Sequence, residues 1–446
     1  MEAIDLQKLL DQAIVFYQKK DYKAAHDCYT TVLRYDPNNV IVAHNYGITC
    51  VQLGLFEEAI QAIQIAIDAK YVESYITLGS ALRSLGKYKE AMAAFASAFV
   101  IDPCHATAYS NYANSLREFG KPQLAIPFLQ VAQKLNDTDP TYRLNESVAH
   151  LMAEDLLKGW EKYDARWYYE SDVSFKPNLP GIEYNGTQDI QGKKVFVYCE
   201  QGFGDAVQFA RFIKPLQDRG AIVSLYCRAP VERLLAYNFR VPISTDPNIN
   251  QTYDYHCPMM DLPKCFNTTI DTIPKPSMSV DEDTYLHWNK LLGKTSKLRV
   301  GIVWSSTRIA WTTRFRNVPL EKMLSIKNDA IELVNLEFDL SDEHRKMLEE
   351  NGVKIFNEHI KDFYDTAALI SNLDLVVAVD TAVVHVAGSL GIPTWLLLAD
   401  YGSDWRWFLD REDSPFYPSV KVLRQKGDGL WDPVLLDIKT KLEKLG

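Results

Sequence analysis

Residues 373–400, LDLVVAVDTAVVHVAGSLGIPTWLLLAD, predict an apolar strand, a helix and a second apolar strand in direct succession. The same alternation starts at 298–306, LRVGIVWSS, and it also covers 193–227, where KKVFVYC and AIVSLYC are the strands. Strands that alternate with helices form parallel sheets through right-handed crossovers. We therefore predict two Rossmann-like α/β domains, over residues 193–290 and 296–446.

The first 140 residues carry an internal repeat. Alanines recur at spacings of 34, 32 and 34 residues, and a small residue precedes each of them where two helices would touch. The alanines are Ala25, Ala59, Ala91 and Ala125, and the small residues are Ala13, Gly47, Gly79 and Ala113. This pattern resembles tetratricopeptide repeats, whose helix pairs stack into an α-solenoid, a right-handed superhelix with a concave groove. The groove would be either plain scaffold or a binding site for a peptide or protein partner.

A degenerate fifth unit follows the repeats and ends in the motif GWEKYDARW. The helical spacing of Trp160, Tyr163 and Trp167 predicts a hydrophobic cap, with a ligand cage as the alternative. The next segment is rich in proline, glycine and asparagine, which is typical of a linker. We therefore assign residues 1–170 to the capped repeats and residues 171–192 to a linker.

The composition is that of an ordinary globular protein. The 446 residues include 48 basic and 58 acidic side chains, for a formal charge of −10, and 47% of the residues are hydrophobic. A surface that is negative on average disfavours nonspecific binding to nucleic acid or anionic membrane. We recognise no secretory signal, no apolar run long enough to span a bilayer and no CxxC spacing among the cysteines. These features favour a cytoplasmic protein, and no His/Cys/Glu cluster has the sequence spacing of a metal site.

Parallel sheets bind ligands in loops beyond the carboxyl ends of their strands, and three such loops here carry unusual polar content. The first is CEQGFGDAVQFAR, residues 199–211. Asp205 lies at the start of the following helix, where its carboxylate is either a helix cap or a general base for an attacking hydroxyl. The other residues that we place in this cleft loop are Glu200, Gln201, Gly202, Gly204 and Gln208.

The second and third loops are suited to anions. Residues 304–320, WSSTRIAWTTRFRNVPL, contain three arginines and several hydroxyls but no acid before Glu321, which suits a diphosphate. In the third loop, residues 379–391, a helix starts beside Asp380 and Thr381, so its free N–H groups and positive dipole end would hold an anion. The candidate donor-binding residues are Ser305, Ser306, Arg314, Arg316, Asp380, Thr381, Ala382 and His385. The alternatives are a solvated loop for the second and a capped helix with a packed histidine for the third.

These loops resemble the ADP-heptose:lipopolysaccharide heptosyltransferases of glycosyltransferase family 9. The resemblance is carried by EQGFGDAVQFAR, HCPMMDLP, GIVWSS, VDTAVVHVAGSLGIPTWLL and DWRWFLDREDSPFYPS. It implies a GT-B fold, with a nucleotide-sugar between two Rossmann-like domains and metal-independent inverting transfer. It also implies that Asp205 is the catalytic base, that the loop from Asp380 to His385 holds the donor diphosphate and that Arg314 and Arg316 support it. Where related sequences usually have a glycine/asparagine-rich stretch and an NDRNRS-like run, this chain has SSTRIAW and TTRFRN, so its donor pocket differs from theirs.

The sequence as a whole thus predicts a helical repeat array followed by a glycosyltransferase that moves a sugar from a nucleoside-diphosphate donor to an acceptor hydroxyl. Apart from this co-substrate no cofactor is expected. The acceptor would be a protein, a saccharide or lipid headgroup, or a modified nucleobase, and the repeats would aid acceptor or partner binding. The alternative is a catalytically inactive adaptor with a nucleotide-binding domain. The absence of a Walker lysine and of paired metal-binding carboxylates argues against a phosphoryl transferase.

Overall fold

The computed structural model describes residues 3–168, 176–246, 252–306, 313–426 and 429–445. The chain forms two compact units, residues 1–150 and 151–446. The aromatic motif GWEKYDARW therefore lies in the second unit, whereas the sequence grouped it with the repeats up to residue 170. Among the described helices, none is long and apolar enough to cross a membrane.

Ten helices occupy residues 3–152, and each of the first eight packs against the next. They are α1 (Ala3–Gln18), α2 (Tyr22–Tyr35), α3 (Val40–Leu53), α4 (Phe56–Ala62), α5 (Gln64–Asp68), α6 (Val72–Ser84), α7 (Tyr88–Ile101), α8 (Ala106–Glu118), α9 (Pro122–Leu135) and α10 (Pro140–Met152). The side chains of Asp21 and Asn39 cap α2 and α3 by accepting backbone N–H groups.

The predicted small residues lie at the helix contacts of the first unit. The repeat alanines Ala25, Ala59, Ala91 and Ala125 are fully buried, as are Ala13 and Ala113. A Cβ atom added to Gly47 would overlap Ile63, and one added to Gly79 would overlap the ring of Phe95. Small residues therefore permit the close helix packing that the repeat pattern predicts.

The second unit begins with an α/β domain built on five parallel strands. They are β1 (Ile182–Glu183), β2 (Lys194–Tyr198), β3 (Ile222–Tyr226), β4 (Ile243–Ser244) and β5 (Tyr255–Pro258), in the order β1-β5-β2-β3-β4. The associated helices are α11 (Leu156–Lys162), α12 (Phe203–Phe209), α13 (Ile213–Asp218), α14 (Ala229–Phe239) and α15 (Leu262–Cys265). The strand order reverses at β2, so the ligand crevice of this sheet lies between the carboxyl ends of β2 and β5.

A second sheet of five parallel strands follows. Its strands are β6 (Leu298–Val303), β7 (Ile331–Asn335), β8 (Leu375–Val379), β9 (Thr394–Leu398) and β10 (Val420–Arg424), in the order β10-β9-β8-β6-β7. Its helices are α16 (Glu282–Leu292), α17 (Thr313–Arg316), α18 (Leu320–Met323), α19 (Asp342–Glu350), α20 (Phe363–Ile370), α21 (Ala382–Leu390) and α22 (Asp432–Leu445). The order reverses at β6, which puts the crevice at the loops after β6 and β8.

The observed elements differ from the predicted ones in three places. Strand β1 forms within the segment predicted as a linker and pairs with β5. The predicted helix over 205–220 is divided into α12, a 3-10 turn and α13, because the ring of Pro215 would clash with the carbonyl group of residue 211 in a continuous helix. Helix α16 belongs to the second sheet, since Asn289 donates to Asn372 at 2.9 Å.

Candidate active site

The carboxyl-end loops of the two sheets meet within the second unit. Helix α12 starts just after the β2 loop, and α21 starts just after β8. Gly204 packs so closely on α21 that an added Cβ would lie 2.7 Å from His385 Cδ2 and 3.5 Å from Ala382 Cα. A residue without a Cβ permits this approach. The structure therefore brings the first and third predicted loops together.

Asp205 is the third residue of α12 and lies at this junction. Its Oδ2 accepts the backbone N–H of Gly202 at 2.8 Å, and its Oδ1 forms an ion pair with Arg406 Nη2. The side chain is 21% exposed. Asp205 thus caps its own helix and also reaches the junction, and the remaining lone pairs of its carboxylate can accept a proton.

Arg406 is the cation that joins the two α/β domains at this point, and sequence reasoning gave it no role. Its Nε donates to Gln208 Oε1 at 2.7 Å, its Nη1 donates to Asp404 Oδ1 at 2.9 Å, and its guanidinium lies 4.3 Å from the ring centroid of Trp405. Burial alone would lower the pKa of Arg406, but Asp404 and Asp205 raise it above the ordinary value. In the sequence, Arg406 could have been recognised because it lies between two tryptophans, Trp405 and Trp407, soon after β9.

Arg316 and Asp380 form a second charged pair beside α21. Arg316 Nη1 donates to the Asp380 carbonyl at 3.3 Å, and its Nη2 lies 3.5 Å from Asp380 Oδ2. Burial raises the pKa of Asp380, while Arg316 opposes the shift. In Asp404, by contrast, burial is outweighed by Arg406, so its pKa is lowered. Arg316 thus binds the residue that directly precedes Thr381.

Thr381 is the residue at the start of α21, and its side chain makes no capping hydrogen bond. Its Oγ1 is shielded from solvent and has no hydrogen-bond partner within the described ranges. The first N–H groups of a helix have no partner within the helix, and the positive dipole end lies there. This hydroxyl and these N–H groups are donors that an anion could use.

His385 lies on the first turns of α21 but is enclosed. Its Nδ1 lies 2.9 Å from the Tyr417 hydroxyl, and its ring stacks on Trp407 with centroids 5.5 Å apart. Burial, with help from Arg406, lowers the pKa of His385 to about 3. The ring is therefore neutral, and it can offer a ligand a hydrogen bond but no charge.

The second predicted loop is described only in part. Ser305 Oγ donates to Glu337 Oε2 at 3.1 Å, and the Ser306 N–H donates to Asn317 Oδ1 at 3.0 Å. Burial raises the pKa of Glu337 to about 7 against the effect of the Ser305 hydrogen bonds. The side chain of Arg314 lies outside the described residues. The donor role of these loop residues stays a prediction.

Glu200 of the first loop points away from the junction, and the Gln201 backbone has a separate partner. Glu200 turns into the protein, where its Oε1 accepts Arg166 Nη2 at 2.9 Å and the Met260 N–H at 3.3 Å. Burial raises the pKa of Glu200 to about 7, with Arg166 opposing. The Gln201 carbonyl accepts Arg228 Nη2 at 3.0 Å. The hydrogen bonds of Glu200 and of the Gln201 carbonyl hold this part of the loop in place.

A cavity of about 460 Å³ in the second unit contains none of the predicted site residues. It lies between α13, α14 and the segment 274–278, and its polar lining includes Arg211, Lys214 and Asn238. Lys214 is exposed and pairs with Asp218. Neither Asp205 nor Arg406 lines the cavity, although Val207 of α12 and Ser389 of α21 do.

One His/Cys/Glu group that sequence spacing did not reveal occurs among the described residues. His26, Cys50 and Glu58 come from α2, α3 and α4, and their possible ligand atoms lie within 4.8 Å of one another. The Tyr46 hydroxyl lies 3.0 Å from His26 Nε2 and also donates to Glu58. Hydrogen bonds therefore account for this group as a contact between helices.

Comparison with known proteins identifies the repeats. The sequence model of the tetratricopeptide repeat family matches residues 10–70 and 76–140. Protein FlbA of Caulobacter vibrioides is 25% identical over 440 residues, which cover 91% of this chain and 73% of FlbA. DnaJ homolog subfamily C member 7 of Mus musculus is 30% identical over 121 residues, which cover 26% of this chain and 24% of that protein. The prediction of an N-terminal tetratricopeptide array is confirmed.

Two solved structures align with parts of the chain. A family 9 glycosyl transferase from Veillonella parvula aligns with 58% of this chain and 100% of its own, with a TM-score of 0.44 and 10% identity. MamA protein aligns with 39% of this chain and 98% of its own, with a TM-score of 0.32 and 22% identity. The architecture itself is a tetratricopeptide array followed by two parallel-sheet α/β domains, as the sequence predicts.

Proposed function

We propose that the second unit is a glycosyltransferase that moves a sugar from a nucleoside-diphosphate donor to an acceptor hydroxyl without a metal ion. The observation that carries the proposal is the meeting of Asp205 and Arg406 beside the start of α21. A carboxylate there lies next to an anion-binding helix end, which is the pairing that glycosyl transfer requires. The motifs shared with family 9 sequences point to the same chemistry.

In the proposed reaction the acceptor oxygen attacks the anomeric carbon of the donor sugar as the bond from that carbon to the diphosphate oxygen breaks. Asp205 takes the proton of the acceptor hydroxyl, and the electron pair of the broken bond leaves on the diphosphate. The N–H groups at the start of α21, the Thr381 hydroxyl and Arg316 would stabilise the departing charge. Attack opposite the leaving group inverts the anomeric configuration.

Arg406 would serve this reaction in two ways. It holds Asp205 through one nitrogen while Gln208 and Asp404 hold its other nitrogens, so the carboxylate is fixed. Its ion pair with Asp205 also links the two α/β domains at the junction. The tetratricopeptide array would present the acceptor or a protein partner.

The test is a panel of ADP-, GDP-, UDP-, CDP- and dTDP-sugars on the full chain. A donor that binds the folded state raises the melting temperature with its concentration, and slow release of nucleoside diphosphate reports turnover. Asp205→Asn should lower this turnover by about 100-fold or more, because a general base contributes on that order. Its donor Kd should stay within about threefold, because the proposed diphosphate contacts lie on the second sheet.

Asp218→Asn is the matched control, since Asp218 is an exposed acid of α13 that pairs with Lys214. It should leave turnover unchanged. Wild-type turnover in Asp205→Asn would reject Asp205 as the base.

A second candidate function is an inactive adaptor that senses a nucleotide. It is favoured by the two hydrogen-bonding partners of Asp205, Arg406 and the Gly202 N–H, which occupy both of its oxygens. The same panel separates the two functions. An adaptor shows a rise in melting temperature with a nucleotide-sugar but no release of nucleoside diphosphate, and Asp205→Asn changes neither.

A further inference from the structure

Arg166 is a buried cation that the proposed chemistry does not use. It belongs to the aromatic motif GWEKYDARW and is 3% exposed. Its Nη2 lies 2.9 Å from Glu200 Oε1, and its Nη1 lies 2.7 Å from Asp261 Oδ1 and donates to the Tyr163 carbonyl at 3.1 Å. One guanidinium thus binds two carboxylates.

These two carboxylates mark the ligand crevice of the first sheet. Glu200 follows β2, and Asp261 follows β5. The strand order reverses between these two strands, and in parallel sheets this is where a ligand binds. Arg166 therefore lies where a ligand of the first sheet would lie.

Aromatic rings hold the guanidinium in this crevice. It lies 4.3 Å from the ring centroid of Trp167 and 4.9 Å from that of Tyr163. Trp160 of the same motif packs edge-on against Phe209 of α12 and against Trp405, next to Arg406. The motif thus contacts both sides of the junction at which Asp205 lies.

We propose that Arg166 is a positioning residue that fills the crevice of the first sheet and, through Glu200, fixes the loop that presents Asp205. This inference rests on the proposed glycosyltransferase function. The segment from Glu200 to Asp205 is short. One residue separates Glu200 from Gly202, and the Gly202 N–H donates to the Asp205 carboxylate. The Met260 N–H and Arg166 bind the same oxygen of Glu200, so that end of the loop is held on two sides.

The proposal makes the motif a part of the transferase rather than only the end of the repeats. A loop held at Glu200 keeps the Gly202 N–H and the Asp205 carboxylate in one geometry. A shift of about 1 Å in a reacting group can cost about 100-fold in rate. Loss of Arg166 should therefore reduce the chemical step more than donor binding, since the proposed diphosphate contacts belong to the second sheet.

The experiment compares Arg166→Met and Arg166→Lys in the full chain, with Arg411→Met as the matched control. Arg411 forms ion pairs with Glu154 and Asp413 and lies outside the proposed machinery. Nucleoside-diphosphate release from the donor that the panel identifies gives kcat and KM, and hydrogen exchange is followed over residues 199–206. We expect Arg166→Met to lower kcat about tenfold or more, with KM changed less than about threefold and faster exchange in this loop. Arg166→Lys should recover part of kcat, because lysine keeps the positive charge. The recovery should be incomplete, because an ammonium group lacks the planar fork with which arginine binds Glu200 and Asp261.

Removal of Arg166 deprives the buried Glu200 and the partly buried Asp261 of this cation, so Arg166→Met is checked for folding. If it does not fold, Glu200→Gln is the second variant, since it removes the charge while keeping an oxygen acceptor. It should show the same fall in kcat and the same faster exchange. Unchanged kcat in a folded variant, or an equal loss in Arg411→Met, would overturn the proposal. If the wild-type chain releases no nucleoside diphosphate from any donor, the proposed function fails, and unchanged exchange over 199–206 is then the result that overturns the role of Arg166.

Discussion

Glu337 is a carboxyl group whose burial brings its titration close to neutral pH. It is 8% exposed, and burial raises its pKa to about 7. Because its pKa in the folded state lies above that in the unfolded state, the folded chain binds the proton more tightly. The resulting stabilisation is complete below the unfolded pKa of about 4.5 and is lost as the pH rises through about 7.

Glu337→Gln tests this pH dependence. An amide resembles the protonated carboxyl group, so we expect the variant to match the wild-type chain in unfolding free energy near pH 5. Near pH 8 it should exceed the wild type by about 2 to 3 kcal/mol, because the wild type must then ionise a buried group. Urea denaturation at both pH values measures the difference. Glu349→Gln, at an exposed position of α19, is the control, and a gain of equal size in that variant would contradict the assignment.

Single residues of the site differ in how far the sequence predicts them. Thr381 closely follows the apolar strand β8, and Asp205 lies at the start of the helix after the β2 loop, so the rule that ligands bind at strand ends identifies them. Arg406 and Arg166 were missed because their partners are distant in sequence: Arg406 binds Asp205, 201 residues away, and Arg166 binds Glu200, 34 residues away. Local pattern contains no information about such pairs. The inward orientation of Glu200 could not be predicted either, because its partner Arg166 is distant in sequence.

At the scale of the helix pair, Gly79 sets how closely α6 and α7 approach. An added Cβ would lie 2.5 Å from Phe95 Cε1, well inside van der Waals contact. Gly79→Ala gains up to about 1 kcal/mol in helix propensity but overpacks a full interface, which costs about 1 to 3 kcal/mol. We expect a net loss of about 1 to 2 kcal/mol in the unfolding free energy of the repeats. Urea denaturation of the full chain with hydrogen exchange over 72–101 measures it.

The double variant Gly79→Ala/Phe95→Leu provides the control for this contact. A smaller side chain at residue 95 makes room for the new methyl group, so the two losses should not add. Full additivity would show that the ring does not limit the approach of the helices, and a stabilised Gly79→Ala would show that propensity outweighs packing.

Whole elements were predicted where local pattern determines them. The strands β2, β3, β6, β8 and β9 lie in the predicted apolar runs, since a buried parallel strand is apolar on both faces. The two-residue strand β1 was not predicted, because its structure comes from pairing with β5 and not from its own residues. The domain boundary predicted at residue 290 also does not account for the contacts of α16, whose partners, such as Asn372, lie later in the chain.

At the scale of the second unit, Arg211 connects its two α/β domains. Its Nε donates to the Gln208 carbonyl at 2.7 Å, and its Nη1 donates to the carbonyls of Phe416 at 2.7 Å and Pro274 at 3.2 Å. Gln208 belongs to the first domain, Phe416 to the second and Pro274 to the connection between them. Its guanidinium also lies 4.6 Å from the ring centroid of Tyr417. A buried side chain with these partners should make the two sheets resist unfolding together.

Arg211→Met tests this coupling. The methionine fills most of the space but leaves buried carbonyl groups without a donor, so we expect the unfolding free energy of the second unit to fall by about 2 to 4 kcal/mol. Native-state hydrogen exchange should show lower protection in both β2 and β8, because the lost bonds join both domains. Arg219→Met is the matched control, since Arg219 binds Tyr184 and Phe266, which both lie in the first domain. It should lower protection in β2 and leave β8 unchanged. If Arg211→Met lowers the exchange protection of β2 but not of β8, the two sheets unfold independently. The geometry at Asp205 and Arg406 must then be maintained by the contacts of those two residues.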